Sequence, residues 1–260
     1  MKQNENLSKV ERRQKIQQMV EAQGRVLVED ICAVFDISKA TARRDLDDLA
    51  EQQQIIRFHG GALRKNSAIA ESDIPVHQRN NEQTDAKSRI GARAAELIQD
   101  GETIFLASGS TVLEVAKHLH GKKVNVLTNS LLVMNELWAD ESIEVISTGG
   151  ILRRSELSFI GHISEKSLEE ICADKVFLGT FSIHPSTGLT HNYLPEIMTD
   201  RAIINIGRQV IVVADHTKFN RSASAFLVAL SKVNVLVTDA AAPPKVVDQI
   251  EKSGVQVILA

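Results

Sequence analysis

The sequence predicts an α/β protein in two parts. The first is a small N-terminal unit of short helices closed by a β-hairpin, and the second a larger unit built on a mainly parallel sheet. Three observations carry this. Ser38-Lys39-Ala40-Thr41-Ala42-Arg43-Arg44-Asp45-Leu46 reads as a capped amphipathic helix. The paired glycines Gly60-Gly61 follow an alternating apolar and polar stretch. From Thr84 onward, apolar runs of strand length alternate with helical periods to the end of the chain.

In chain order, Lys9 to Ala22 reads as a helix with Val10, Ile16, Met19 and Val20 as its apolar positions, ended by Gln23-Gly24. Arg25-Val26-Leu27 is short and apolar. Val28 to Phe35 is a second helix with Ile31, Val34 and Phe35 turned inward, and Asp36-Ile37 leads into Ser38. The Ser38 hydroxyl is suited to accept a bond from a first-turn N–H that has no partner within the helix. Leu46 and Leu49 share the face that buries. Lys39, Thr41, Ala42, Arg43 and Arg44 lie toward the cap, where a recognition helix presents side chains to base edges and phosphates. Two helices joined this tightly form a helix-turn-helix. Gln54 to His59 and the glycines after it suggest a hairpin. It would serve as a wing, with Arg57, His59 and Gly60 toward the DNA backbone.

Thr41-Ala42-Arg43-Arg44-Asp45-Leu46 and Ile56-Arg57-Phe58-His59-Gly60-Gly61-Ala62 resemble the winged helix-turn-helix of the DeoR family of bacterial sugar-metabolism regulators. The likeness runs from about Val10 to Ala62. That family usually has a β-branched residue where Ala42 stands.

The chain has 260 residues and a net charge of -3, which by itself argues against a nucleic-acid ligand. The distribution argues otherwise, because the first 65 residues carry a small basic excess and the rest an acidic one. The two cysteines, Cys32 and Cys172, stand in apolar helical sequence and are expected as buried reduced thiols. Neither a signal peptide nor a membrane-spanning run is visible, so a cytoplasmic protein with no membrane partner is expected. The expected division is residues 1–64 for DNA binding, 65–83 as a polar linker with Pro75, and 84–260 for an effector.

The second part reads as helices over Ala86–Ile98, Thr111–Leu119, Ser130–Trp138, Ser164–Cys172, Glu196–Ile206 and Pro244–Lys252. Strands are expected over Glu102–Ala107, Lys123–Thr128, Ile143–Ser147, Lys175–Leu178, Gln209–Ala214, Val233–Thr238 and Val255–Leu259. Ligands of open α/β sheets bind at the carboxyl ends of the strands. The first loop there, Ser108-Gly109-Ser110-Thr111, follows a strand and opens a helix. Its hydroxyls, its glycine and the helix N-terminus suit a phosphate. It carries neither the nucleotide nor the dinucleotide glycine motif.

The resemblance extends from about Lys87 to Ile258 and implies a fold like that of sugar-phosphate isomerases, of the ribose-5-phosphate isomerase and CoA-transferase type. It also implies a phosphorylated sugar or polyol as effector. Within the family the likeness is to regulators of the glycerol-phosphate-repressor type. On these grounds Ser108, Gly109, Ser110, Thr111, Asn129, Gly149, Gly150, Arg153, Thr180, Glu196 and Lys218 are the expected effector-binding residues. Lys218 or Arg153 would supply the counter-charge and Glu196 would accept from hydroxyls. Two departures stand out: the family commonly has Asp where Ala107 stands and a basic residue where Asp200 stands.

The competing function is an aldose–ketose isomerase of the same fold, which needs a positioned base. Gly179-Thr180-Phe181-Ser182-Ile183-His184, which matches the isomerases' paired-aspartate segment, contains no carboxylate. The expectation is therefore a regulator, most simply a repressor of a carbohydrate or polyol operon. It would have operator DNA and the effector as partners, a homo-oligomeric state, and no catalytic residue, cofactor or metal.

Overall fold

The computed structural model describes residues 8–23, 25–52, 54–58, 60–64, 75–219, 221 and 223–260. They belong to two units, Met1–Ile74 and Pro75–Ala260.

In the first unit, α1 (Lys9–Gln23), β1 (Arg25–Leu27), α2 (Val28–Phe35), α3 (Lys39–Glu51), β2 (Ile55–Phe58) and β3 (Gly61–Arg64) follow in order. The hairpin β2–β3 gains β1 as a third antiparallel strand, in the order β1-β3-β2. The Ser38 side chain accepts from Thr41 N–H at 3.2 Å and caps α3. Ala42, Leu46 and Leu49, at i, i+4 and i+7, turn one face of α3 onto Ile16, Val20, Ile31 and Phe35. Val10 and Val34, expected inside, stay exposed. Asp45, 1% exposed, ties α1 to α3: it accepts from Arg12 Nε at 2.6 Å and from Arg13 Nε at 3.1 Å.

The second unit begins with α4 (Val76–Arg79), inside the stretch expected as linker; residues 65–74 of that stretch lie outside the described residues. Next come α5 (Thr84–Ala95), β4 (Thr103–Leu106), α6 (Ser110–Lys117), β5 (Asn125–Thr128), α7 (Leu131–Leu137), β6 (Glu144–Ser147), β7 (Ile151–Arg153), β8 (Ser158–Ile160) and α8 (His162–Leu168). The chain continues through β9 (Ala173–Leu178), β10 (Ser182–His184), β11 (Gly188–His191), α9 (Ile197–Ile206), β12 (Gly207–Val213), β13 (Ala225–Val228), β14 (Val235–Thr238), α10 (Pro244–Lys252) and β15 (Gln256–Leu259). Seven strands form a parallel sheet in the order β15-β14-β12-β9-β4-β5-β6. Successive strand residues face opposite sides, as pleating requires. Ile104 and Leu106 pack with α5, α6 and α7, whereas Phe105 packs with α8, α9 and α10. Two additions were not legible as strands: the β7–β8 hairpin and an antiparallel sheet β10-β11-β13.

Cys32 is half-buried and Cys172, beyond the end of α8, is exposed, so the expectation of buried thiols fails. Among the described residues, no helix is long and apolar enough to cross a membrane.

Helices α5 and α6 meet where Gly91 lies against Glu114. A Cβ at Gly91 would stand 2.6 Å from the Glu114 carbonyl carbon. Alanine is the better helix former by about 1 kcal/mol, yet overpacking of a close contact costs about 1–3 kcal/mol. The contact wins, and Gly91→Ala is expected to lower stability in denaturant unfolding. A stabilised variant would show that the helices separate freely.

Candidate functional site

Helix α3 presents Arg43 and Arg44 exposed to solvent, with no ion pair among the described residues. Lys39 is exposed and pairs with Glu29 at 2.8 Å. Thr41 shares a hydrogen bond with the Ser38 hydroxyl at 3.0 Å. Ala42 is 0% exposed and belongs to the core, because it shares the face of Leu46. Its side chain therefore presents nothing to a partner. On the hairpin, the Arg57 guanidinium donates to Asp47 at 2.9 Å and to the Gly61 carbonyl at 3.0 Å, so it braces the wing against α3. The Gly60 carbonyl accepts from Val28 N–H at 2.8 Å and fixes the turn to α2. His59 lies outside the described residues.

In the second unit the expected effector residues follow the carboxyl ends of neighbouring parallel strands, except Arg153, which ends β7 of the hairpin, and Glu196, which directly precedes α9. Ser108 to Thr111 join β4 to α6. Gly109 stands at the N-cap with φ 124° and gives no side-chain cap. The N–H groups of Ser110, Thr111 and Val112 precede the first bond of the helix, Leu113 N–H to the Gly109 carbonyl at 3.0 Å. The hydroxyls of Ser108, Ser110 and Thr111 have no hydrogen-bond partner among the described residues. Unused donors at a helix N-terminus form an anion cradle.

Asn129 follows β5 and is 1% exposed. Its side-chain N–H donates to the Phe159 carbonyl at 3.1 Å, while its Oδ1 is buried with no partner. The Ser164 hydroxyl donates to the Gly149 carbonyl and lies where a Cβ on Gly150 (φ 125°) would stand, so this loop is packed by α8. Thr180 turns its hydroxyl to the Ser182 carbonyl at 2.9 Å.

The structure joins Arg153 directly to Glu196. The Arg153 guanidinium lies 4.0 Å from the Tyr193 ring centroid and 4.0 Å from Glu156, which in turn bonds Arg79. Glu196 also accepts from the Ser158 hydroxyl at 3.4 Å and stands 3.5 Å from His191 Nε2. His191 Nδ1 accepts from Tyr193 N–H at 3.0 Å, which places the ring proton on Nε2. Burial, then Arg153 and Arg79, push His191 down to about 4 and keep it neutral. Asp200 completes the group, with one atom of each of His191, Glu196 and Asp200 within 4.8 Å of the others. With His191 Nδ1 engaged and Nε2 protonated, the ring has no lone pair for a metal.

Burial pushes both carboxyls up, Glu196 to about 7 and Asp200 well above its usual value, with Arg153 opposing in both; Glu156 adds to the rise of Glu196, and Glu196 and Glu156 to that of Asp200. Arg153 sits on Glu196, so the proton belongs on Asp200. A carboxyl raised on folding adds stability at low pH and loses it as pH rises through its folded value. The second unit is expected to lose stability as pH rises above the ordinary carboxyl range and the raised pair gives up its proton, read by thermal unfolding. Asp200→Asn should flatten the fall. An unchanged slope in that variant would remove the shared proton.

Lys218 lies in the turn His216–Lys218 after β12, where Asp215 accepts from Thr217 N–H at 2.9 Å. Burial pushes Asp215 up, but Thr217, Lys218 and Lys87 outweigh it and hold the carboxyl low. Lys87 is 5% exposed and donates to the Arg79 carbonyl at 2.6 Å. Burial, with Lys218 and Arg79 adding, pushes Lys87 down, against the pull of Asp215. Lys87, Arg79 and Asp215 stand in this cluster and were not among the expected residues, and Asp200 was singled out only as a departure from the family. The signal for Lys87 is a lysine on the buried stripe Ala86, Lys87, Ile90, Ala94 of α5.

The chain is similar to several known proteins. Residues 12–68 match the DeoR-like helix-turn-helix domain and residues 82–240 the DeoR C terminal sensor domain. The glycerol-3-phosphate regulon repressor of Escherichia coli K12 is 34% identical over 254 residues, covering 97% of this chain and 100% of that protein. The HTH-type transcriptional repressor GlcR of Bacillus subtilis is 31% identical, covering 90% of each chain. Ribose 5-phosphate isomerase A of Methanocaldococcus jannaschii is similar at a TM-score of 0.40 and 18% identity, over 53% of this chain and 55% of that one. With an exposed arginine pair on a capped second helix, a winged hairpin, and a parallel sheet under a sensor-domain match, the chain belongs to the DeoR family.

Proposed function

We propose that this chain is a transcriptional repressor of a carbohydrate or polyol catabolic operon, released from its operator by a phosphorylated sugar or polyol. Residues 1–64 bind DNA and residues 84–260 bind the effector. The observation that carries the effector half is the α6 N-terminus, with its free N–H groups and three unpartnered hydroxyls. The phosphate takes these donors, and Lys218 with Lys87 and Arg79 supplies positive charge. Glu196 and Arg153 face the sugar end. A relative named for the glycerol-3-phosphate regulon supports a phosphate ester.

The chain works as a cytoplasmic homo-oligomer, because paired half-sites multiply the modest affinity of one small module. Arg43 and Arg44 carry the contact to DNA. Arg43→Ala is expected to weaken operator binding by about 1–3 kcal/mol if the arginine reads a base. Anisotropy titrations on operator and random DNA test this, and an unchanged ratio of the two affinities removes that role.

One observation favours an isomerase instead: Glu196 near 7 sits where a general base works. Its engagement by Arg153 and the absence of a carboxylate in residues 179–184 favour the regulator. Sugar phosphates incubated with the chain in heavy water are expected to take up no deuterium at C2. Uptake would establish the isomerase.

A further inference from the structure

Helix α9 turns one face inward and leaves the other open. Glu196, just before it, and Asp200 are buried, whereas Leu194 and Met198, four residues apart, are 70% and 59% exposed. The half-buried Ala202 and the exposed Asn205 continue that outer stripe to the end of the helix. Two neighbours widen it. On one side Gly161 N–H donates to the Thr199 hydroxyl at 2.9 Å, and that hydroxyl donates to Glu165 of α8 at 2.9 Å. This contact brings in Ile163 of α8 and Ile151 of β7, whose Cδ1 lies 3.4 Å from where a Cβ on Gly161 would stand. On the other side Arg201 donates to the carbonyls of Phe226 and Leu227 at 2.7 and 2.9 Å and sits 5.9 Å from the Phe226 ring centroid. Ile151, Ile163 and Phe226 are each more than half exposed.

Five large apolar side chains in one patch are costly to leave in water. They expose on the order of 600 Å², at about 200 Å² for a whole large side chain, which is the upper end of what a monomer leaves open. A homodimer interface is about two-thirds apolar, so the patch with its rim amounts to roughly 900 Å² per copy, where a stable pair needs about 800 Å². The rim carries both signs, with Arg154 and Lys166 beside Glu165 and Glu169. A surface that meets its own copy about a two-fold axis must carry both, whereas a nucleic acid or an anionic membrane asks for a cationic rim. The stripe Leu194, Met198, Ala202 and Asn205 also suits a second helix, because the small Ala202 permits close approach. The two elements beneath the patch matter to the effector reading, since Arg153 ends β7 and Glu196 directly precedes α9.

We propose that the outer face of α9, flanked by Ile151, Ile163 and Phe226, is the surface on which a second copy of this chain docks. The two α9 helices pack antiparallel across a two-fold axis, with Met198 near its centre. This rests on the reading of the chain as a homo-oligomer and gives that assembly its surface.

The test is sedimentation of the full chain, free of DNA, over a range of concentrations. The wild type is expected as a dimer or larger assembly. Met198→Glu should weaken self-association at least about a hundredfold, the scale of a hot spot at the centre of an interface, and keep the circular dichroism of the wild type. Met198→Lys should do the same. An equimolar mixture of the two should regain the wild-type mass, because each charge then faces its opposite across the axis. Trp138 is 76% exposed at the end of α7, on the other side of the parallel sheet, and Trp138→Ser should keep the wild-type mass. Should the Met198 variants fail to fold, hydroxyl-radical labelling of the wild type decides. Corrected for intrinsic reactivity, Met198 and Phe226 are then expected to be protected severalfold beside Trp138, and equal labelling overturns the inference. An oligomer unchanged by Met198→Glu, a mixture that stays apart, or an assembly broken by Trp138→Ser overturns this surface and leaves the homo-oligomer standing. A monomeric wild type overturns both.

Discussion

Replacing Asp45 with alanine is expected to unfold the N-terminal unit at temperatures where the C-terminal unit remains folded. Asp45 is 1% exposed and receives Arg12 at 2.6 Å and Arg13 at 3.1 Å, the main polar tie between α1 and α3. Removing one member of a buried ion pair costs about 3–5 kcal/mol, because the remaining charge is left uncompensated. Here both guanidiniums are 16% exposed and partly rehydrate, and Arg13 keeps its pair with Asp48, which puts the cost near the low end, about 3 kcal/mol. A unit of some sixty residues has only about 3–9 kcal/mol to lose. Calorimetry should therefore show the first transition moved far down and the second unchanged. DNA binding should vanish on every sequence, unlike the operator-specific loss in Arg43→Ala. A first transition that stays in place would show that Ile16, Val20, Leu46 and Leu49 hold the helices without the carboxylate.

The second large effect is expected from Ser110→Glu. Ser110 opens α6, is 6% exposed, and contributes an N–H and a hydroxyl to the proposed phosphate cradle. A carboxylate in a helix first turn is itself favourable by about 0.3–1 kcal/mol, so the fold has reason to accept it. The same carboxylate occupies the place of the phosphate and repels it. Sugar phosphates should lose at least about a hundredfold in affinity, near the upper end of ordinary coupling losses, and operator release should disappear while operator binding persists. Ser110→Ala, which removes one hydroxyl, should lose about tenfold, as one hydrogen bond of about 1–1.5 kcal/mol implies. Release that survives Ser110→Glu would place the phosphate elsewhere.

The main elements were legible because their causes are local. The Ser38 cap, the Leu46 and Leu49 face and the hairpin glycines all lie within one short stretch. Each strand of the parallel sheet is an apolar run, since both of its faces are covered by helices. The hairpin β7–β8 and the sheet β10-β11-β13 were not legible. Their strands are three or four residues long, and β13 pairs with β11 across more than thirty residues of chain. No local pattern specifies such a partner.

The site divides along the same line. The loop Ser108–Thr111 could be read from its residues, because backbone donors at a helix start follow from chain order. Ala42 was misplaced although its spacing from Leu46 and Leu49 already put it on the buried face. Arg57 was read as a wing residue toward the DNA backbone, and its partner Asp47, ten residues back, was not foreseen. The link from Arg153 to Glu196 crosses forty-three positions, and the meeting of Asp200 with His191 depends on burial that only the folded chain creates.

The account rests on a phosphate ester bound by the C-terminal unit, and thermal unfolding of the full chain tests that most directly. Phosphorylated sugars and polyols are compared, each beside its unphosphorylated parent. A ligand at a hundred times its dissociation constant stabilises its unit by about 2.7 kcal/mol. At about 2–4 °C per kcal/mol for a unit of this size, the shift is several degrees. The expected result is a rise in the second transition with at least one phosphate ester and none with its parent. No rise with any phosphate ester would contradict the account.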